Sequence, residues 1–111
     1  MSKQIVQTQA APEAIGPYSQ AVRFGGLVFT SGQIALDPES GTLQGATIQE
    51  QTRRAIRNLK AIVTAAGLAP DALVKTTVFL RSMADFGAFN AVYEEELGGA
   101  APARSQRRAD T

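Results

Sequence analysis

Neither histidine nor cysteine occurs anywhere in the 111 residues. That absence removes disulfides, thiolate nucleophiles, imidazole bases and nearly every transition-metal site at once. What remains is Asp, Glu, Lys, Arg, Tyr, Ser, Thr, the side-chain amides and the backbone, so any reaction must be electrostatic or use a water held by a carboxylate. The most conspicuous groups are basic. Arg104, Arg107 and Arg108 crowd into the closing "PARSQRRADT", and Arg53, Arg54 and Arg57 recur in "QTRRAIRNLK". The helix arginines make a basic face that could contact RNA, yet 11 Lys and Arg are balanced by 10 Asp and Glu, which argues against a nucleic-acid partner. Lys75 lies in a β-branched run, where a lysine on a wet strand face is the stronger reading than a Schiff-base nucleophile. Glu50 and the "EEE" at 94–96 read as solvated helix charge, and no grouping has the spacing of a metal site.

These side chains must be placed by a single domain. The chain has 44% apolar and 19% charged residues, an ordinary globular balance at a length that leaves a lone domain only marginally stable. "KQIVQT" (3–8) reads as a short strand and "QAAPEAIGPYSQ" as an irregular loop. "AVRF" and "LVFTSG" flank Gly25-Gly26 and predict a β-hairpin, followed by a surface turn in "DPESGTL". From Ala46 to Ala66 the apolar residues Ile48, Ala55, Ile56, Leu59, Ile62, Val63 and Ala66 recur at steps of three, four and seven, which predicts an amphipathic helix. Thr47 with Glu50 supplies a capping box at its start, and Gly67 a left-handed stop at its end. "ALVKTTVFL" (72–80) is the best strand in the chain, and its connection to the hairpin through a helix predicts a βαβ unit with parallel strands. Ser82 with Asp85 then opens a second helix carrying Phe86, Phe89, Val92, Tyr93 and Leu97, up to Gly98-Gly99. No large apolar β-former follows Pro102, so the expectation is that the chain ends one strand early.

The N-terminal "MSKQIVQTQ" has no signal-like apolar run, and no stretch approaches the roughly 20 apolar residues of a membrane helix, so a cytoplasmic protein without a membrane partner is expected.

In order, "AIGPYSQAV", "GGLVFTSGQIALDPESG", "TRRAIRNLKAIVTAAGL", "LVKTTVFL", "MADFGAFNAVYEE" and "PARS" give the chain a pattern that resembles the RidA family, also called the YjgF, YER or translation-inhibitor endoribonuclease-like family. The resemblance implies an α+β, chorismate-mutase-like fold: one mixed sheet with two helices on one face. It also implies a homotrimer with sites between subunits, no cofactor, and hydrolysis of reactive enamines or imines such as 2-aminoacrylate to 2-keto acids and ammonia. On this resemblance Arg104 is the catalytic arginine that grips the substrate carboxylate, a task suited to a planar fork. Tyr18 is a pocket tyrosine reaching from a neighbouring subunit. Ser31 and Gly32 line the pocket at a strand end, Ser31 offering a hydroxyl and Gly32 a close backbone approach. Asn90, a mediocre helix former inside the second helix, stands in the pocket wall.

The sequence departs from the family after "PARS". Gln106 stands where the family has Cys, Ser or Thr, and the glutamate that holds the attacking water on a further strand has no counterpart, a loss typically worth about 10² to 10⁴ in rate. Two other functions therefore stand beside the deaminase: a catalytically impaired trimer that binds small molecules such as 2-keto acids, and an RNA-interacting, endoribonuclease-like translation inhibitor.

Overall fold

The structure, a computed structural model, describes residues 2–109; Asp110 and Thr111, the end of the closing "QRRADT", lie outside them. Three strands open the chain: β1 (Gln4–Val6), β2 (Ala21–Phe24) and β3 (Leu27–Thr30). They form an antiparallel sheet in which β1 and β3 flank β2, with Val6 opposite Ala21 and Phe24 opposite Leu27. The β2–β3 turn is the expected Gly25-Gly26 pair, and Gly25 takes φ +61°, the positive angle a two-residue hairpin requires at its first position.

The first helix, α1 (Ile48–Ala65), is bounded as its sequence predicts. Thr47 Oγ1 accepts from the Glu50 backbone N–H at 3.1 Å, and Glu50 Oε2 accepts from the Thr47 N–H at 3.3 Å. At the other end Gly67 sits at φ +81°, its N–H donating to Thr64 O (2.9 Å) while the Leu68 N–H donates to Val63 O (3.1 Å). Those two bonds are the paired closures of a Schellman motif, which needs a left-handed residue at that point. Arg23 reaches from β2 to the Ala66 carbonyl, adding a cation at the helix's negative end.

A single 3₁₀ turn (Pro70–Ala72) leads into β4 (Lys75–Leu80), which is shorter than the predicted run. The predicted second capping box is only half formed. Ser82 Oγ accepts from the Ala84 N–H at the head of a 3₁₀ turn (Met83–Asp85), and α2 (Phe86–Leu97) follows directly. Ala101, at φ 42°, lies in the segment that follows α2.

The strands correct three expectations. A strand does follow α2: β5 (Ala103–Arg108) pairs in parallel with β4, Lys75 opposite Ala103 through Leu80 opposite Arg108. Its polar composition hid it, because the ladder is made by backbone groups that every one of these residues carries. The parallel crossover unit is accordingly β4–α2–β5, not the predicted hairpin–α1–β4. The α+β class with two helices stands, but hydrogen bonding groups the described strands into a three-stranded antiparallel and a two-stranded parallel sheet, where one mixed sheet was expected.

Both sheets turn one face to the helices. Val6, Ala21 and Val28 pack with Ile62 of α1 and Ala66 just past its end, and Val78 and Leu80 pack with Ile56 of α1 and Phe89, Tyr93 and Leu97 of α2. Ile62, fully buried, contributes about 2 to 3 kcal/mol. Alternation along the strands sends Ile5, Phe24, Leu27, Phe29 and Phe79 to the opposite faces, where they are exposed.

The helices are joined by charge. Glu96, on α2, lies 3.2 Å from Lys60 Nζ, 3.5 Å from Arg57 Nε and 3.7 Å from Arg53 Nε, and Arg53 also pairs with Glu95. The Glu96 side chain is 10% exposed, so it is not the solvated surface acid its sequence suggested. Burial works to raise its carboxyl, but the hydrogen bond and charge of Lys60, with Arg57, prevail and hold it below the ordinary carboxylate range. Arg53 and Arg57 are spent on these pairs, which weakens any reading of α1 as an RNA-binding face.

Candidate functional site

The sequence-predicted residues fall into two groups. Arg104 and Asn90 form the first. On β5 the side chains of Arg104 and Gln106 point toward the helices, while Ala103, Ser105 and Arg107 face away and are exposed. Arg104 meets Asn90 one turn into α2, and its Nη1 donates to Asn90 Oδ1 at 2.9 Å. That contact accounts for an asparagine inside a helix, since its amide serves a neighbouring strand.

The guanidinium is enclosed by rings. Its carbon lies 4.6 Å from the centroid of Tyr93, 5.7 Å from Phe86 and 5.8 Å from Phe89, all three on α2. Aromatic faces stabilise a cation without neutralising it. Among the described residues no carboxylate pairs with Arg104, and its Nε and Nη2 have no protein acceptor. A planar fork with a free edge has the geometry to take a carboxylate in two parallel hydrogen bonds.

Tyr18, Ser31 and Gly32 form the second group. Ser31 closes β3 onto the preceding loop: its N–H donates to Gln20 O (2.9 Å), and its hydroxyl donates to Ser19 O. The hydroxyl expected to face a ligand is thus committed to the backbone next to Tyr18. Tyr18, 54% exposed, shares with Gly32 a groove of about 590 Å³ whose walls include Ile15, Ile34 and Leu36 and whose rim carries Glu13 and Glu39. A Cβ added to Gly32 would meet nothing within 4 Å, so no backbone of this chain makes the close approach expected there.

Two amides fix this groove and escaped the sequence reading. Gln20, nearly buried, accepts from the Thr8 N–H (2.7 Å) and donates to Pro12 O (2.8 Å), holding the loop that carries Tyr18. Asn58, fully buried on α1, donates to Ile34 O (3.1 Å) and Leu36 O (2.9 Å), pinning the opposite wall. An Asn among Ala55, Ala61 and Ile62 on the helix was the available signal. Gln106 was noticed only as a departure; its Nε2 is buried without a partner, on the same face of β5 as Arg104.

No hydrogen bond links the two groups among the described residues. Lys75, predicted on a wet strand face, is exposed there and donates to Ser105 Oγ across the β4–β5 pair. Among the described residues no cluster of acids is disposed to hold a metal, and no helix is long and apolar enough to cross a membrane.

Known proteins are similar to this chain in sequence and in fold. The family model described as Endoribonuclease L-PSP matches residues 8–110. A RutC family protein of Pyrococcus abyssi is 46% identical over 104 residues, covering 94% of this chain and 82% of its own. The 2-iminobutanoate/2-iminopropanoate deaminase of Mus musculus is 44% identical over 103 residues, covering 93% of this chain and 76% of its own. Among solved structures, E. coli TdcF with bound serine superposes with a TM-score of 0.89 at 44% identity, covering 96% of this chain and 85% of that one. With almost its whole length matched in sequence and in fold, the chain belongs to the Endoribonuclease L-PSP family, the RidA/YjgF proteins.

Proposed function

We propose that this protein hydrolyses reactive 2-imino acids, the tautomers of enamines such as 2-aminoacrylate, to 2-keto acids and ammonia. The observation that carries the reading is the Arg104 fork, held by Asn90 and three aromatic rings, with Nε and Nη2 free and no carboxylate against it among the described residues. The deaminase names of relatives at this identity support it. Arg104 takes the substrate carboxylate in two charge-assisted hydrogen bonds, fixing the adjacent C=N carbon. Water adds to that carbon, the nitrogen takes up a proton, and collapse of the carbinolamine breaks the C–N bond, forming the C=O group as ammonia leaves. The imine carbon is already electrophilic, so positioning and polarisation suffice and neither histidine nor cysteine is needed.

We further propose a homotrimer in which the Tyr18–Gly32 groove of one copy meets the Arg104–Asn90 pair of the next. Two features support it: among the described residues no hydrogen bond joins the two groups, and Ile5, Phe24, Leu27, Phe29 and Phe79 leave apolar sheet faces uncovered. Glu13 and Glu39 are the acids at the groove, where a carboxylate could hold the water.

The test generates 2-aminoacrylate with a lyase and follows keto-acid formation, alongside sedimentation equilibrium. Faster keto-acid release and three times the 11.7 kDa chain mass are expected. Binding of a 2-keto acid without acceleration refutes the catalytic reading in favour of a binding protein, and a monomeric mass refutes the assembly.

A further inference from the structure

Resting on the reading of Arg104 as the carboxylate clamp, we propose that Tyr93, braced by Thr76, is a positioning residue that sets the plane of the Arg104 guanidinium for its ligand. The β4–β5 register puts Thr76 directly opposite Arg104, with both side chains on the helix-facing side. Thr76 Oγ1 and the Tyr93 hydroxyl are 2.8 Å apart, so the strand opposite Arg104 holds the ring that faces it. That ring is nearly buried and gives the shortest of the three cation–ring distances, 4.6 Å. Phe89 packs on Tyr93 at 5.5 Å between centroids, tilted by 47°, and itself lies 5.8 Å from the guanidinium, so it flanks the ring beside Arg104. The guanidinium is thus restrained in two ways: its face by Tyr93, and one edge by Asn90.

The chemical nature of this support matters. A partly buried arginine is ordinarily steadied by a carboxylate, which would occupy the fork and cancel its charge. Here three rings and a neutral amide do the steadying, so the charge and the outer edge remain for a ligand. A flexible arginine would have to surrender side-chain freedom on binding, whereas a braced one has surrendered it already, and affinity rises accordingly. The brace touches no substrate atom, so its loss should appear in KM and in ligand affinity more than in kcat.

The probe is 2-ketobutyrate, with affinity measured by calorimetry on the intact chain and KM and kcat in the imine assay. Tyr93→Leu removes the ring and should weaken binding about tenfold. Tyr93→Phe keeps the ring and should restore most of that affinity, with a residual loss of about threefold. Thr76→Val should give the same threefold loss, and the two changes combined should give no more, because they delete one hydrogen bond. In an Arg104→Ala background, Tyr93→Leu should have no further effect.

If Arg104→Ala loses binding while Tyr93→Leu binds as the parent does, the brace is refuted and the clamp survives. If Arg104→Ala binds as the parent does, the clamp reading fails and takes the brace with it. If Tyr93→Leu does not fold, the Tyr93→Phe and Thr76→Val pair decides: independent, additive losses, or equal losses that persist without Arg104, overturn the proposal.

Discussion

Replacing Glu96 by glutamine should loosen α2 on α1, and with it the helix that carries Asn90, Tyr93, Phe86 and Phe89. The magnitude follows from the geometry. One pair of unit charges at the 3.2 Å Lys60–Glu96 distance attracts by about 5 kcal/mol at an effective dielectric near 20. Against that stands a desolvation cost of several kcal/mol per ion. The cations are partly in water, with side-chain exposures of 33% for Arg53, 57% for Arg57 and 29% for Lys60, so their attractions are screened. A net loss of about 1 to 3 kcal/mol on Glu96→Gln remains. At about 4 °C per kcal/mol for a domain of this size, the melting midpoint near neutral pH should fall by about 4 to 12 °C.

The pH dependence gives an independent reading. Glu96 is held below its ordinary range, so its contribution is complete above the unfolded-state value and disappears as pH falls through the lower folded value. The gap in stability between parent and Glu96→Gln should therefore narrow as the pH falls below the ordinary glutamate range of about 4 to 5. Asp37 is also lowered, by its backbone and side-chain hydrogen bonds with Ser40, but it is common to both proteins and cancels in the difference. Urea titrations across that range are the assay. Equal midpoints near neutrality, or a gap that persists undiminished in acid, would refute the reasoning.

Further predictions concern the frame around the site. Gly67→Ala forces a β-carbon into a backbone at φ +81° and should cost about 1 to 2 kcal/mol, read as a lower urea midpoint; an unchanged midpoint contradicts the Schellman closure. Asn58→Ala strips donors from the Ile34 and Leu36 carbonyls and should cost about 2 to 4 kcal/mol, with faster amide exchange confined to residues 34–44; exchange unchanged there contradicts the pinning role. Single-stranded RNA should show no salt-dependent binding, because Arg53 and Arg57 are paired with Glu95 and Glu96; a steep fall of affinity with salt would reverse this.

The fold was most legible where a local rule needs a particular residue. Thr47 and Glu50, Gly67, and Gly25-Gly26 each mark a boundary that the structure places as read, because capping and left-handed turns are decided within a few residues. Strand pairing was less legible, since a ladder is made of backbone groups and depends on distant neighbours. "ARSQRR" lacks large apolar β-formers and gives no strand signal until β4 lies beside it, when its alternation becomes Arg104 and Gln106 inward, and Ser105 and Arg107 outward.

The site was legible in its residue types and less so in its connections. Arg104 and Asn90 stand out individually, but the hydrogen bond between them requires β5 and α2 to be adjacent. Tyr93 reads only as core from its helical spacing, and nothing local indicates that its face receives a cation while its hydroxyl meets Thr76. Glu96 reads as one of three surface acids until α1 supplies three cations. Each of these depends on packing between elements far apart in the chain.

The central claim is that Arg104 grips the carboxylate of an imine undergoing hydrolysis. Its most direct test compares kcat/KM for a 2-imino acid and for the corresponding uncharged 2-imino amide, with the parent protein and with Arg104→Ala. Two charge-assisted hydrogen bonds are removed, so the acid should lose about 10²- to 10³-fold and the amide should change by less than about threefold. Equal losses for acid and amide, or no loss for either, would contradict the assignment of Arg104 as the carboxylate clamp.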